Sequence, residues 1–330
     1  MDHVQQINDA QVANQPLVYR ENLTASGWSH CDRAMLLSLR NCSDQKHKAE
    51  TLRTFAIGHA LEDEIIKWLQ QAGYKISHQQ AEIKNRHGKP LGHIDGIIFA
   101  DKKYRLLEIK TSADEYFKDW IKNGAPEKYK AQAQLYCHHS DQLSQSGRKL
   151  TEIMWVVLNK NTSELYIDIQ PYDEQYAELQ TDRIHGVIES EQLPSGEDDY
   201  RCNMCYQKSV CKGESITQIN CRTCAHVSVV NGSFECAHGI GKICHRYVPH
   251  PQLIELLGYK FEDIDHEHEA LIFDKMAIAG EGVKVPGKPT FTAEEFLLAH
   301  PAGLVHDGFV LGLKALCDAT IEEVKNDTAL

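Results

Sequence analysis

Two acids in the first third of the chain have the types and spacing to share a cation beside an amine. Asp95 lies in the apolar run Leu91–Phe99, and Glu108 and Lys110 lie two apart in Tyr104–Lys110. Side chains alternate across a strand, so Glu108 and Lys110 share a face. If the two runs form a hairpin turning at Asp101-Lys102, Phe99 opposes Tyr104 and Asp95 opposes Glu108. Opposed side chains have Cβ atoms about 4.5–5.5 Å apart. Two carboxylates that close repel unless something positive lies between them, and a divalent ion with oxygen ligands meets that need. A surface hairpin with scattered charge is the alternative, but both faces carry apolar neighbours, as a central strand requires. Asp-Lys is a poor two-residue turn because neither residue takes positive φ readily. A four-residue loop on the same centre would keep the pairing.

A third carboxylate comes from a helix. Leu52, Phe55, His59, Glu62, Ile66 and Leu69 recur at spacings of three and four, which places them on one helical face. Most are apolar, so the face is expected to pack inward, with His59 and Glu62 on its stripe. A buried carboxylate is costly without a cation, a metal or a proton. A Glu at the solvent edge of the stripe is the competing reading.

Asp95 followed by Glu108-Ile109-Lys110 resembles the PD-(D/E)xK nuclease superfamily, in its RecB-like branch. Gly58-His59-Ala60-Leu61-Glu62 looks like that branch's helical motif, in which Glu62 stands at the acidic position and His59 is a nearby alternative. Ala131-Gln132-Ala133-Gln134-Leu135-Tyr136 resembles its Gln-x-x-x-Tyr motif, with Gln132 and Tyr136 on one helix face. The resemblance covers about residues 25–215 and implies a restriction-endonuclease-like core, a mixed central sheet flanked by helices. It further implies that Glu62, Asp95, Glu108 and the carbonyl of Ile109 hold one or two Mg²⁺ or Mn²⁺ ions. Such an ion lowers the pKa of bound water from about 15.7 toward neutrality. Lys110 would position or deprotonate that water, or stabilise the transition state. A salt bridge from Lys110 to Glu108 is compatible with either role. Gln132 and Tyr136 complete the implied catalytic set.

The chain has 11 cysteines, crowded between Cys202 and Cys244. In a reducing compartment such crowding indicates metal binding rather than a disulfide frame. Cys202, Cys205 and Cys211 form a triplet that needs a fourth ligand. Some RecB-like nucleases, of the AddB and CRISPR-adaptation types, hold a 4Fe–4S cluster with one cysteine before the core and three after it. By that resemblance Cys31 is the first ligand, although Asp32 stands where the family often has proline. Cys42 is the competing donor, and four thiolates also suit zinc. Cys221, Cys224, Cys236 and Cys244 form a second set resembling a zinc ribbon, akin to small modules of phage proteins. His226, His238 or His245 could replace one of its cysteines. Structural Zn²⁺ is the expectation there, with DNA contact the alternative. Cys137 and Cys317 are expected to be isolated buried thiols.

The elements that must position these groups follow from periodicity. A helix is expected over residues 50–72 and three strands over 76–110. A second helix is expected over 126–140, strands over 153–158 and 165–169, and a helix over about 173–190. The expected domains are a loosely ordered N-terminus (1–24), a nuclease domain (25–215), a zinc module (216–250) and a mixed or helical region (251–330). The net charge of −12 argues against a general nucleic-acid coat. Lys102, Lys103, Arg105, Lys118, Lys122, Lys128 and Lys130 offer local basic contacts. Met1–Gln15 is polar, unlike a signal peptide. No apolar run is long enough for a membrane span, so a cytoplasmic protein is expected. The function expected is metal-dependent DNA cleavage by an exonuclease of recombination, repair or phage DNA metabolism. Single-stranded DNA or DNA ends, and a recombination or replication protein, are the expected partners. The alternative is a non-cleaving module that binds DNA ends or protein around structural metal sites.

Overall fold

The computed structural model describes residues 2–16, 22–27, 31–43, 46–144, 147, 149–230, 232–236, 239, 247–267, 270–279 and 282–299. The chain divides into two compact units, Met1–Cys31 with Gln45–Val187, and Asp32–Asp44 with Ile188–Leu330. Up to residue 188 it runs α1 (His3–Ala13), α2 (Asp32–Leu39), α3 (Ala49–Gln71), β1 (Lys75–Ser77), β2 (Glu82–Lys84), β3 (Pro90–His93), β4 (Gly96–Ala100), β5 (Lys103–Ser112), α4 (Asp114–Asn123), α5 (Glu127–His138), β6 (Glu152–Asn159), β7 (Leu165–Pro171) and α6 (Glu174–Ile188). Of these, α2 belongs to the second unit.

The first unit is built on a five-stranded sheet of order β1-β4-β5-β6-β7. The β5–β6 pair is parallel and the other neighbours are antiparallel, so the sheet is mixed. The parallel pair sits at the centre because its residues can be buried on both faces: Leu106, Leu107, Ile109 and Ile153–Leu158 are all buried. A parallel connection needs a crossover, and here it carries α4 and α5. On one face Ile65, Ile66 and Leu69 of α3 pack against Ile98, Leu107, Ile109, Met154, Val156 and Leu158. Each such side chain contributes roughly 1.5–3 kcal/mol when fully buried. Trp155 has the opposite parity on β6 and meets Trp120 of α4, with ring centroids 5.4 Å apart. Helices thus cover both faces, the mixed α/β architecture expected from the sequence.

The hairpin register is the expected one, with Phe99 opposite Tyr104 and Gly96 opposite Leu107. The turn differs from expectation. Asp101 and Lys102 form a two-residue connection with φ of 50° and 63°. Arg105 braces it, donating from Nη1 to the carbonyl of Ala100 at 2.6 Å and to Asp101 Oδ2 at 3.4 Å. The run Leu91–Phe99 is not one strand either. It bends at Ile94-Asp95, so that β3 pairs with β2 in a separate ladder while β4 enters the main sheet. On α3, the buried residues are Ala49 at its start and Ile65, Ile66 and Leu69 in its C-terminal half; Phe55 is 47% exposed, and His59 is exposed. Helix α4 was not expected, because Phe117 and Trp120 are its only buried residues. The N-terminal segment, read as loosely ordered, forms α1, whose first turn is capped by Asp2.

In the second unit, Leu37 of α2 and Cys42 pack with Val210 and Leu253. A short hairpin pairs Ser228–Val230 with Ser233–Glu235. Four short strands, Phe261–Asp265, Ala270–Phe273, Ala277–Ile278 and Thr290–Phe291, make a second sheet. Its core holds Phe273, Met276, Ile278 and Phe296. No described helix is long and apolar enough to cross a membrane.

Candidate active site

Strand β5 presents Glu108 and Lys110 on one face. Lys110 Nζ donates to Glu108 Oε2 at 2.7 Å and to the carbonyl of Ile109 at 3.1 Å. Asp95 stands at the bend just before the β4–β5 ladder begins. There β4 no longer supplies an acceptor to β5, and Asp95 Oδ2 accepts from the Ile109 N–H at 2.6 Å. The same oxygen lies 3.7 Å from Lys110 Nζ. The bend therefore sets the site: it frees Asp95 from the strand and turns its carboxylate onto β5.

Glu62 joins from α3. It accepts a 2.8 Å hydrogen bond from Gln80 Nε2. Burial and then the nearby Asp95 push its carboxyl up to about 7, while Lys110 and Gln80 pull it back. Glu108, with a side chain only 1% exposed, is raised by burial against the pull of Lys110, and further by Asp95 and Glu62. For Lys110, burial acts downward, yet Glu108 and Asp95 hold the ammonium above its ordinary value. Asp95 and Glu108 thus pair with one ammonium while the Glu62 charge acts on both acids, and the cluster is short of positive charge. Glu108 Oε1 is buried and has no hydrogen-bond partner among the described residues. An orphaned carboxylate oxygen costs the full desolvation penalty, and a divalent ion with oxygen ligands fits this donor set.

The wall of the site comes from α5. Gln132 Nε2 donates to the Tyr136 hydroxyl at 3.1 Å. Tyr136 is buried, and burial followed by Glu108 raises its phenol. Its hydroxyl rests against Gly92 of β3, where a Cβ would lie 2.2 Å from the oxygen and φ is +148°. Two further residues border the site. Gln80 is one. The other is Tyr129, whose ring centroid lies 5.5 Å from Lys110 Nζ and stacks on Trp120 at 5.9 Å. Neither belongs to a motif, although Tyr129 stands one helical turn before Gln132. Of the basic residues named from sequence, Lys103 and Arg105 pair with Glu152, and Lys118 with Asp114. His59 lies on the exposed part of α3.

The cysteine sets are only partly within the described residues. Cys202 lies in the turn Tyr200–Met204, with Cys205 directly after it, and Cys211 ends the helix Lys208–Cys211. All three are half-buried. Arg33 Nη1 approaches Cys211 Sγ at 4.0 Å. Cys31, also half-buried, directly precedes α2. Cys42 is fully buried, its thiol pushed up to about 12 by burial, so it behaves as a core hydrophobe. Cys137 is likewise buried. The hairpin of residues 228–235 separates Cys224 from Cys236. Cys244 and Cys317 lie outside the described residues, as do His238 and His245.

No family model and no curated protein matches the chain. Among solved structures it is similar to the crystal structure of SSO0001, at 15% identity over 63% of this chain and 95% of that one, with a TM-score of 0.38. It is also similar to LHK-Exo in complex with dAMP, at 15% identity over 56% of this chain and 90% of that one, with a TM-score of 0.36. A second structure of LHK-Exo, an alkaline exonuclease from Laribacter hongkongensis, matches at 16% identity over 56% and 90% of the two chains, with a TM-score of 0.36.

Proposed function

We propose that this chain is a Mg²⁺- or Mn²⁺-dependent deoxyribonuclease of the PD-(D/E)xK type that trims DNA ends. The observation that carries the reading is the pairing of Asp95 and Glu108 with one ammonium, with Glu62 close enough for its charge to act on both acids, and with Glu108 Oε1 buried and unpartnered among the described residues. Glu62, Asp95, Glu108 and the Ile109 carbonyl would hold the ion; that carbonyl already faces Lys110 Nζ. When bound, the ion acidifies a water and offsets charge on the scissile phosphate.

The remaining roles fall to the chain's own groups. Lys110 stays an ammonium because Glu108 and Asp95 favour its charged form, so it orients the phosphate and neutralises charge rather than removing a proton. Gln132 donates to the Tyr136 oxygen, which leaves the phenol's own proton to donate to a phosphate oxygen. Cleavage of end-labelled DNA in Mn²⁺ should fall at least a hundredfold in Asp95→Ala, Glu108→Ala and Lys110→Ala. Wild-type rates in purified, folded Lys110→Ala would refute the assignment.

On the sequence resemblance, Cys31, Cys202, Cys205 and Cys211 bind a 4Fe–4S cluster, and Cys221, Cys224, Cys236 and Cys244 bind zinc. Anaerobically purified protein should then be brown, with a broad band near ~400 nm. A colourless protein carrying zinc alone would remove the iron–sulfur assignment. Recombination, repair or phage DNA metabolism is the setting such an enzyme fits.

A further inference from the structure

Gln80 lies in the loop between β1 and β2, in the left-handed region with φ of 54°, two residues after His78 at 55°. Side chains other than glycine rarely adopt this conformation, and where they do the surroundings must enforce it. Here two backbone bonds do so. Gln80 N–H donates to the Ile94 carbonyl at 3.0 Å, and Ile94 N–H donates to the Ala81 carbonyl at 3.1 Å. They fasten the loop to the residue immediately before Asp95. The start of β4 lies close beneath it, since a Cβ on Gly96 would come within 3.0 Å of Ile76 and 3.3 Å of the Ser77 carbonyl. From this fixed backbone the Gln80 amide reaches across to α3 and donates to Glu62 Oε1 at 2.8 Å.

One residue therefore ties together the two elements that bring Glu62 and Asp95. The bond occupies one oxygen of Glu62 and leaves Oε2 for the cation. It also removes rotamer freedom that a flexible Glu side chain would otherwise lose on taking up a cation. We propose that Gln80 is a positioning residue that presents Glu62 to the divalent ion; the inference rests on the nuclease reading of the same site. An amide suits the role because it donates to the carboxylate without adding a fourth negative charge.

The test is direct Mn²⁺ binding to the EDTA-treated full chain, followed by the electron paramagnetic resonance of free Mn²⁺, with cleavage kinetics alongside. Gln80→Ala should weaken Mn²⁺ binding about tenfold. Its kinetic defect should fall on the Mn²⁺ constant more than on the rate at saturating Mn²⁺. In a Glu62→Gln background the same change should have no further effect on Mn²⁺ affinity. Gln80→Met keeps the stem and loses the donor, and it serves the same comparison should the alanine variant fold poorly. Unchanged Mn²⁺ affinity in either folded variant, or equal losses with and without Glu62, would overturn the role of Gln80. If the wild-type chain bound no Mn²⁺ at all, both the role and the nuclease reading would fall together.

Discussion

Glu62 shows how a single side chain reports the state of the whole cluster. Burial and the nearby Asp95 push its carboxyl up to about 7 from an ordinary 4.5. Between those values the native state holds a proton that the unfolded chain has released, so stability falls as pH rises through that window. The same linkage makes divalent-ion binding expel a proton and tighten as pH rises toward about 7. Urea unfolding of EDTA-treated protein at pH 5 and pH 8 should show the fall, and Glu62→Gln should lessen it. An identical profile in the variant would mean that Glu62 is not held above its usual range. At this scale the sequence was informative where strand alternation applies, as for Glu108 and Lys110. It was silent on Gln80, whose role arises from a left-handed turn that no side-chain pattern marks. His59 misled, because the apolar spacing that placed it on a buried face continues into a stretch of α3, between Ala49 and Ile65, that holds no buried residue.

At the scale of elements, the bend at Ile94-Asp95 matters more than any strand. A continuous strand over Leu91–Phe99 would commit Asp95 to the ladder; the bend lets its side chain cap Ile109 instead. The apolar run hid the bend, since burial on both faces looks the same for one strand or two. Gly92, in β3, is the marker that could have revealed it. Its φ of +148° suits glycine, and the Tyr136 hydroxyl occupies the space a Cβ would need. Gly92→Ala should destabilise the protein by about 1–3 kcal/mol, through strain and overpacking together. It should also displace the Gln132–Tyr136 pair and so slow cleavage. Adding Tyr136→Phe removes the 2.2 Å clash but leaves Cζ at 3.2 Å, so the double variant should recover part of the lost stability. Urea midpoints for the wild type and both variants test this; a fully stable Gly92→Ala would show that β3 can retreat from α5. Helix α4 was illegible for a related reason: with Phe117 and Trp120 alone buried, its sequence carries too few apolar marks to set a period.

At the scale of the molecule, the proposed function asks a chain of net charge −12 to grip DNA through few contacts. Intramolecular pairing narrows the candidates, because Lys103, Arg105 and Lys118 are held by Glu152 and Asp114. Lys102, Lys122, Lys128 and Lys130 have no acidic partner among the described residues, and the last three come from α4 and α5, the helices of the β5–β6 crossover. Lys128 Nζ stands 4.5 Å from the Tyr129 ring centroid, and Tyr129 in turn flanks Lys110. Each phosphate contact contributes a slope of about −0.9 to log K against log salt on duplex DNA. Three contacts give about −2.7, far shallower than a basic DNA-binding protein shows. Binding to labelled duplex in Ca²⁺, chosen to leave the DNA intact, between 50 and 200 mM salt should give that slope. Lys128→Ala and Lys130→Ala should each reduce it by about 1. A slope steeper than about −6, or one indifferent to both substitutions, would place the DNA on another surface and detach the crossover helices from substrate binding.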